Sequence, residues 1–405
     1  MTPAVPVAAS QRTPSNAALD PRPRFPCLEG LRAVAALLVF FHHVGFLTGA
    51  TFNSRIGAFL GRLDVGVPVF FAISGFLLFR PSLVATFDET ELPNPRRHYI
   101  RRFFRIYPTY WVVFALIALT VGIQVQTSDA VLHVLLLQIY RGEAFLDGLS
   151  QSWSLAVEVS FYLVLPLFSR LLRSWVVGQP AGVKALRTLA VLAGLIAASN
   201  VWRVFVYGVG LHDRAVFWLP GTIDYFAIGM ALATISVWGE RSDVGRELSA
   251  ALGRHDLRWW VGAFAVLVFV SYQLELALGL ERATWHKELF RQAGYDVVAL
   301  ALIVPAVFGP FDRGMLRRFL QWRPIAALGA ISYSFYLWHL IVIEKWIEWR
   351  GLATSLGFLD WATTRLLSLT MLEITLGSFV VTTVLSVATY LVVERPVQRW
   401  SRGIA

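Results

Sequence analysis

Apolar residues run through this chain in blocks of about 20, the length at which a helix covers the roughly 30 Å of a bilayer's hydrocarbon. Ten such blocks fall at 28–50, 61–80, 103–123, 152–172, 187–208, 215–237, 259–279, 292–310, 325–347 and 370–393. The stretch from Val131 to Tyr140 is apolar but short, so it predicts a re-entrant or interfacial segment rather than an eleventh crossing. The pattern predicts an all-α, polytopic membrane protein with about ten transmembrane helices. Residues 1–27 hold six of the 18 prolines and no apolar run, which predicts a disordered tail without the apolar core of a signal peptide. Residues 28–396 then form one transmembrane domain and 397–405 a second short tail.

Composition excludes the soluble alternatives. Of 405 residues 56% are hydrophobic and 15% charged, against roughly 25% charged in soluble domains. The 29 Phe, 15 Trp and 12 Tyr suit a chain with two membrane interfaces to fill. Cys27 is the single cysteine, so neither an intrachain disulfide nor a metal site built on several thiolates can form, and no metal is expected.

The net charge of +10 would suggest a nucleic-acid partner in a soluble protein, but its distribution points elsewhere. With the N-terminus inside, the inner tails and loops carry 24 Lys and Arg and the outer loops nine. That asymmetry predicts that both termini are cytoplasmic, with the charge serving as a topology signal spread over alternate loops. A nucleic-acid surface would instead concentrate it on one face.

Ionisable groups within apolar spans are costly, so each is a candidate for function, with a structural ion pair as the plain alternative. Arg32, Arg102, Arg105 and Glu394 fall at cytoplasmic helix ends, whereas His43, Glu158, Asp224, Glu275, Asp296, His339 and Glu373 fall deeper or farther out. Such an order suits a site that takes an anion from the cytoplasm and performs acid and base work beyond it. Arg32 and His43 lie eleven residues apart, about three turns, so they share a helix face about 16 Å apart. A neutral imidazole is tolerable in hydrocarbon and takes a proton near neutral pH, which makes His43 the natural general base.

Further motifs follow in order: Asp64 to Leu78 (DVGVPVFFAISGFLL), Arg102-Phe-Phe-Arg105, Trp153-Ser154-Leu155 with Glu158 and Tyr162, Ser332-Tyr333 with Tyr336 and His339, and Glu394-Arg395-Pro396. The series resembles the acyltransferase-3 family of integral membrane acyltransferases across residues 25 to 400. The resemblance implies O-acyl transfer, such as O-acetylation, from coenzyme A or a related donor to a sugar, glycolipid, envelope polymer or glycosylated small molecule. It also implies a multi-pass protein of the bacterial inner membrane; the end of the chain about ten residues after the last predicted helix leads us to expect no soluble esterase-like domain of the kind some members carry. Arg32 and His43 match the family's arginine-x10-histidine motif, in which the histidine is regarded as catalytic. Arg102 and Arg105 match its arginine-x-x-arginine motif, and Glu158 its acid.

The residue chemistry fits those roles. Arg102 and Arg105, three apart on one face, can hold phosphates of an acyl-CoA donor, though they would also serve as topology residues. Glu158 could orient and charge the imidazole of His43. Trp153, Tyr162, Asp224, Ser332, Tyr333 and His339 are candidate pocket residues; Ser332, Tyr336 and His339 share a face that either lines the pocket or joins helices. Arg203, Glu275 and Glu373 read more readily as structural ion pairs. The expected partners are membrane lipid, acyl-CoA, probed first as acetyl-CoA, and a sugar-containing acceptor, with no bound cofactor. The alternative class is an exporter of a lipid-linked sugar; against it, neither half of the chain repeats the motifs of the other.

Overall fold

The computed structural model describes residues 25–53, 55–121, 127–141, 148–209, 213–272, 284–352 and 368–404. Among these there is no strand. Among the described residues eight helices are long and apolar enough to cross a membrane, or nine where two helices that meet at a sharp bend are counted as one span. The principal helices are α1 (Cys27–Leu47), α2 (Gly66–Phe87), α3 (Pro95–Val121), α4 (Trp153–Val176) and α5 (Ala181–Val209). They continue with α6 (Leu219–Gly239), α7 (Asp256–Tyr272), α8 (Trp285–Val307), α9 (Arg323–Ala330), α10 (Ser332–Trp349) and α11 (Leu369–Thr389). The all-α polytopic expectation therefore holds. The seventh predicted span begins as α7, and its remainder, 273–279, lies outside the described residues.

The bundle is organised around α2 and α6. Gly75 stands against the Phe226 backbone and Gly229 against that of Ala72, so a Cβ at either position would strike main chain and force the helices apart. In a lipid-facing bundle such close contact replaces the hydrophobic drive available in water. Phe226 stacks on Phe71 at 4.6 Å and on Phe161 at 4.1 Å, which ties α4 to the same pair. Helix α1 packs on α2, α9 and α10, while α5 and α8 flank α6.

Several boundaries differ from the hydropathy reading. Helix α3 starts at Pro95, before its apolar block, because Arg96 to Arg102 continue the helix as polar turns. The ninth span is two helices, α9 and α10, bent by 75° at Ile331; an apolar window carries no record of such a change of direction. The short segment near 131 contains an eight-residue helix, Thr127–Val134. The carbonyls of His133 and Val134 at its end, and of Leu135 just beyond it, accept hydrogen bonds from Tyr110, Trp111 and Tyr107 of α3.

Both predicted tails also change. After α11 a π turn over Tyr390–Glu394 leads into α12 (Arg395–Ile404), so the segment from 397 is helical. At the other end Cys27 opens α1 and Phe25 packs edge-on against Phe76 at 4.9 Å, so the last residues assigned to the tail belong to the bundle. Residues 1–24 and Glu275 lie outside the described residues. Arg203 pairs with Glu288 at 2.9 Å and Glu373 with Arg350 at 2.8 Å, so neither of these two groups pairs with the other.

Candidate active site

Five helices converge on a cavity of about 710 Å3 between α1, α2, α3, α4 and α10. Arg32, Ser74, Arg102, Arg105, Glu158, Tyr162, Ser332 and Tyr333 face it. The Glu158 carboxylate accepts bonds from Ser74 Oγ at 2.6 Å and Tyr162 Oη at 2.5 Å, both on Oε1. Arg102 lies 5.7 Å from the Tyr162 ring, close enough for a cation–π contact. Arg105 donates to Glu394 at 2.8 Å and also covers the Tyr333 ring. Glu394 is buried and accepts from Ser334 and Gln398 as well.

Two polar atoms facing this cavity are buried without partners among the described residues, Arg32 Nε and Ser332 Oγ. Ser332 is the first residue of α10, whose N-terminal dipole favours an anion. Three guanidiniums, Arg32, Arg102 and Arg105, line this cavity with one carboxylate, Glu158. Such a lining suits an anionic group.

A second cavity, of about 910 Å3, is walled by His42, His43, Asp64, Gln151, Trp153, Arg203 and Arg291, among others. His43 Nδ1 lies 3.0 Å from the Val39 carbonyl one turn back. A carbonyl only accepts, so this contact assigns the proton to Nδ1 and leaves the lone pair on Nε2. His339 Nε2 approaches the same Nδ1 at 3.1 Å, and His339 Nδ1 in turn faces the Tyr336 carbonyl at 2.8 Å. On the opposite wall Glu288 binds Arg203 at 2.9 Å and Arg291 at 2.5 Å. Arg291 also stands 3.6 Å from Asp64, which accepts a bond from Tyr295. Trp153 packs against Phe217 at 4.5 Å, giving the cavity an aromatic flank.

The two cavities share Val67 and Tyr336 as a common wall. Tyr336 Oη is held by the Gln151 carbonyl at 3.0 Å and by Ser154 Oγ at 2.8 Å, while Gln151 Nε2 bonds the carbonyls of Tyr336 and Leu337. A third, wider cavity of about 1290 Å3 adjoins the first along Leu77, Leu78 and Arg102.

The sequence-based candidates are thus divided. Arg32, Arg102, Arg105, Glu158, Tyr162, Ser332 and Tyr333 meet in the first cavity, and His43 and Trp153 in the second. Glu158 engages Ser74 and Tyr162, whereas His339 rather than Glu158 contacts His43, since the carboxylate lies across the common wall. His339 is buried behind His43 and lines neither cavity. Asp224 is also fully buried, bonded to Gln292, and reaches the second cavity through the Tyr225 hydroxyl on that amide. Ser74, Asp64, Gln151 and Arg291 had no assigned role; the first two lie in the Asp64 to Leu78 motif, while Gln151 and Arg291 carry no local signal. Among the described residues no group of three His, Cys, Asp or Glu stands ready for a metal ion.

The chain is thus a helical membrane bundle that encloses adjoining charged cavities. The chain belongs to the acyltransferase-3 family, whose model, described as an acyltransferase domain, matches residues 25–391. It is 28% identical to the YrhL protein of Bacillus subtilis over 78% of this chain and 48% of that protein. The peptidoglycan O-acetyltransferase OatA of Listeria monocytogenes is 24% identical over 78% of this chain and 49% of its own length. For the O-acetyltransferase OatA of Staphylococcus aureus the figures are 24%, 79% and 51%. The chain spans about half the length of the curated relatives it matches. No solved structure matches it. The apolar helices and the bacterial relatives identify a multi-pass protein of the plasma membrane.

Proposed function

We propose that the protein is an O-acyltransferase that moves an acetyl or other short acyl group from coenzyme A to a sugar hydroxyl of a cell-envelope polymer, with His43 as the general base. The observation that carries this reading is the common wall: an arginine-rich cavity and a histidine-bearing one meet at Val67 and Tyr336. The excess of Lys and Arg in alternate loops supports the reading in which the Arg102 end of the bundle and both termini face the cytoplasm, where coenzyme A resides. Arg102, Arg105 and Arg32 attract the donor's anionic groups, and its thin pantetheine arm reaches toward Tyr336. Glu158 balances those arginines and is held in place by Ser74 and Tyr162.

The acceptor occupies the second cavity, where Trp153 offers an aromatic face to a sugar ring and Asp64 and Arg291 offer charged hydrogen-bonding groups. His43 Nε2 takes the proton of the acceptor hydroxyl as its oxygen attacks the thioester carbonyl. The new C–O bond forms, the C–S bond breaks, and the proton passes to the departing thiolate. His339 positions the imidazole. The relatives' names favour peptidoglycan as the polymer.

The test is acetyl transfer from labelled acetyl-CoA by the purified protein in liposomes supplied with peptidoglycan fragments. His43→Ala is expected to lower transfer by about 100-fold or more while the protein stays folded. A folded His43→Ala protein transferring at the parental rate would falsify the assignment.

A further inference from the structure

Beside Arg102, the third cavity holds three arginines that the reaction described above does not use. Arg97, Arg101, Arg102 and Arg170 all line it, and no carboxylate does. None of the four has an ion-pair partner among the described residues. In the same wall Ser169 is 4% exposed, and its Oγ is buried without a hydrogen-bond partner. Four unbalanced guanidiniums around an orphaned hydroxyl form a site for a multiply charged oxyanion, in which bidentate N–H donors and one O–H can be satisfied together. His98 also stands in this wall, its Nε2–H donating to the Tyr162 carbonyl at 3.2 Å.

We propose that this vestibule binds the 3′-phosphorylated nucleotide end of the donor, and that Arg170 and Ser169 thereby select free coenzyme A over phosphopantetheine carried on a protein. The inference rests on the reading of the preceding subsection, that the acyl donor enters past Arg102. The nucleotide end carries a diphosphate and a 3′-phosphate, whereas a carrier-bound arm carries a single phosphodiester, so only the former can engage all four arginines. Leu77, Leu78 and Arg102 form the boundary with the first cavity, a passage suited to the slim pantetheine arm.

The experiment measures binding of coenzyme A, pantetheine and adenosine 3′,5′-bisphosphate to the full chain in phosphatidylcholine nanodiscs. Arg170→Ala and Ser169→Ala are expected to weaken coenzyme A and the bisphosphate, by about tenfold or more for Arg170→Ala, and to leave pantetheine unchanged. Arg96→Ala, a charge change on α3 outside the cavity wall, serves as the control. Equal weakening by Arg96→Ala and Arg170→Ala would overturn the proposal in favour of diffuse attraction. Repeating the titration in phosphatidylglycerol nanodiscs separates nucleotide from lipid phosphate; displacement of the bisphosphate in proportion to that lipid would assign the site to headgroups and overturn it. Acetyl transfer from acetyl-CoA with no competition by the bisphosphate removes this inference alone. No transfer from acetyl-CoA at all removes the underlying reading and this one with it.

Discussion

His339 Nε2 stands 3.1 Å from His43 Nδ1, joining α10 to α1 through two imidazoles. The two Nδ1 protons are each assigned to a main-chain carbonyl, Val39 for His43 and Tyr336 for His339. His339 Nε2 is then an acceptor facing the His43 Nδ1–H, so it supports an imidazole that gains positive charge on taking a proton. Replacing His339 by Ala removes this support and leaves the base itself in place. We expect His339→Ala to lower kcat about tenfold with little change in KM for the donor, and His43→Ala to lower it far more. Equal losses in the two variants would count against a positioning role for His339.

The fully buried Glu394 forms an ion pair with the partly exposed Arg105 that joins α3 to the turn after α11. Removing Glu394 leaves a partly buried guanidinium uncompensated, which costs less than the roughly 3–5 kcal/mol of a fully buried site. Glu394→Ala is therefore expected to lower the thermal midpoint in detergent by several degrees. A double change of Arg105 and Glu394 to Met should recover much of that stability without recovering donor affinity. A double variant that binds coenzyme A as the parent does would show that Arg105 is purely structural.

The apolar blocks located most of the fold because crossing a bilayer demands length and hydrophobicity, both local properties. Arg32 and His43 were likewise legible as one helix face, since rotation per residue is fixed; they open onto two different cavities, as an offset of three turns allows. What stayed hidden depends on partners remote in sequence. Arg105 and Glu394 are 289 residues apart, and His43 and His339 296. No local pattern reveals that Glu158 turns to Ser74 rather than to His43, or that the ninth span bends at Ile331. The vestibule was visible only as a run of arginines until Arg170 and Ser169 of α4 came to face it.

Arg241 clamps Asp88 through two bonds of 2.7 Å, joining the loop after α2 to the end of α6. The hydrogen-bonded guanidinium holds the Asp88 carboxyl below its ordinary value of 3.8. A depressed acid stabilises the fold above its unfolded pKa, and that contribution disappears as pH falls through the folded one. With Asp88 half open to solvent, the contribution is about 0.5 kcal/mol. Asp88→Asn should therefore differ slightly from the parent in thermal midpoint above about pH 5 and converge with it in stronger acid. A gap that widens on acidification would contradict the pairing.

Val67 is buried and, with Tyr336, forms the only stretch of wall shared by the first two cavities among those described. If the thioester in one cavity meets the acceptor hydroxyl from the other, the reacting atoms must pass between these two side chains. Enlarging Val67 to Phe would fill that gap and leave Arg102, Arg105 and the vestibule untouched. Added bulk in a packed site costs about 1–3 kcal/mol, so the variant should fold with a reduced thermal midpoint. We expect coenzyme A to bind Val67→Phe within about twofold of the parent while acetyl transfer falls more than about tenfold, because a misplacement near 1 Å at the reacting centre has that scale of effect. Val67→Ala, which widens the passage, should keep transfer within a few-fold of the parent. Undiminished transfer by a folded Val67→Phe protein would mean that donor and acceptor meet elsewhere, and His43 would then need another route to the thioester.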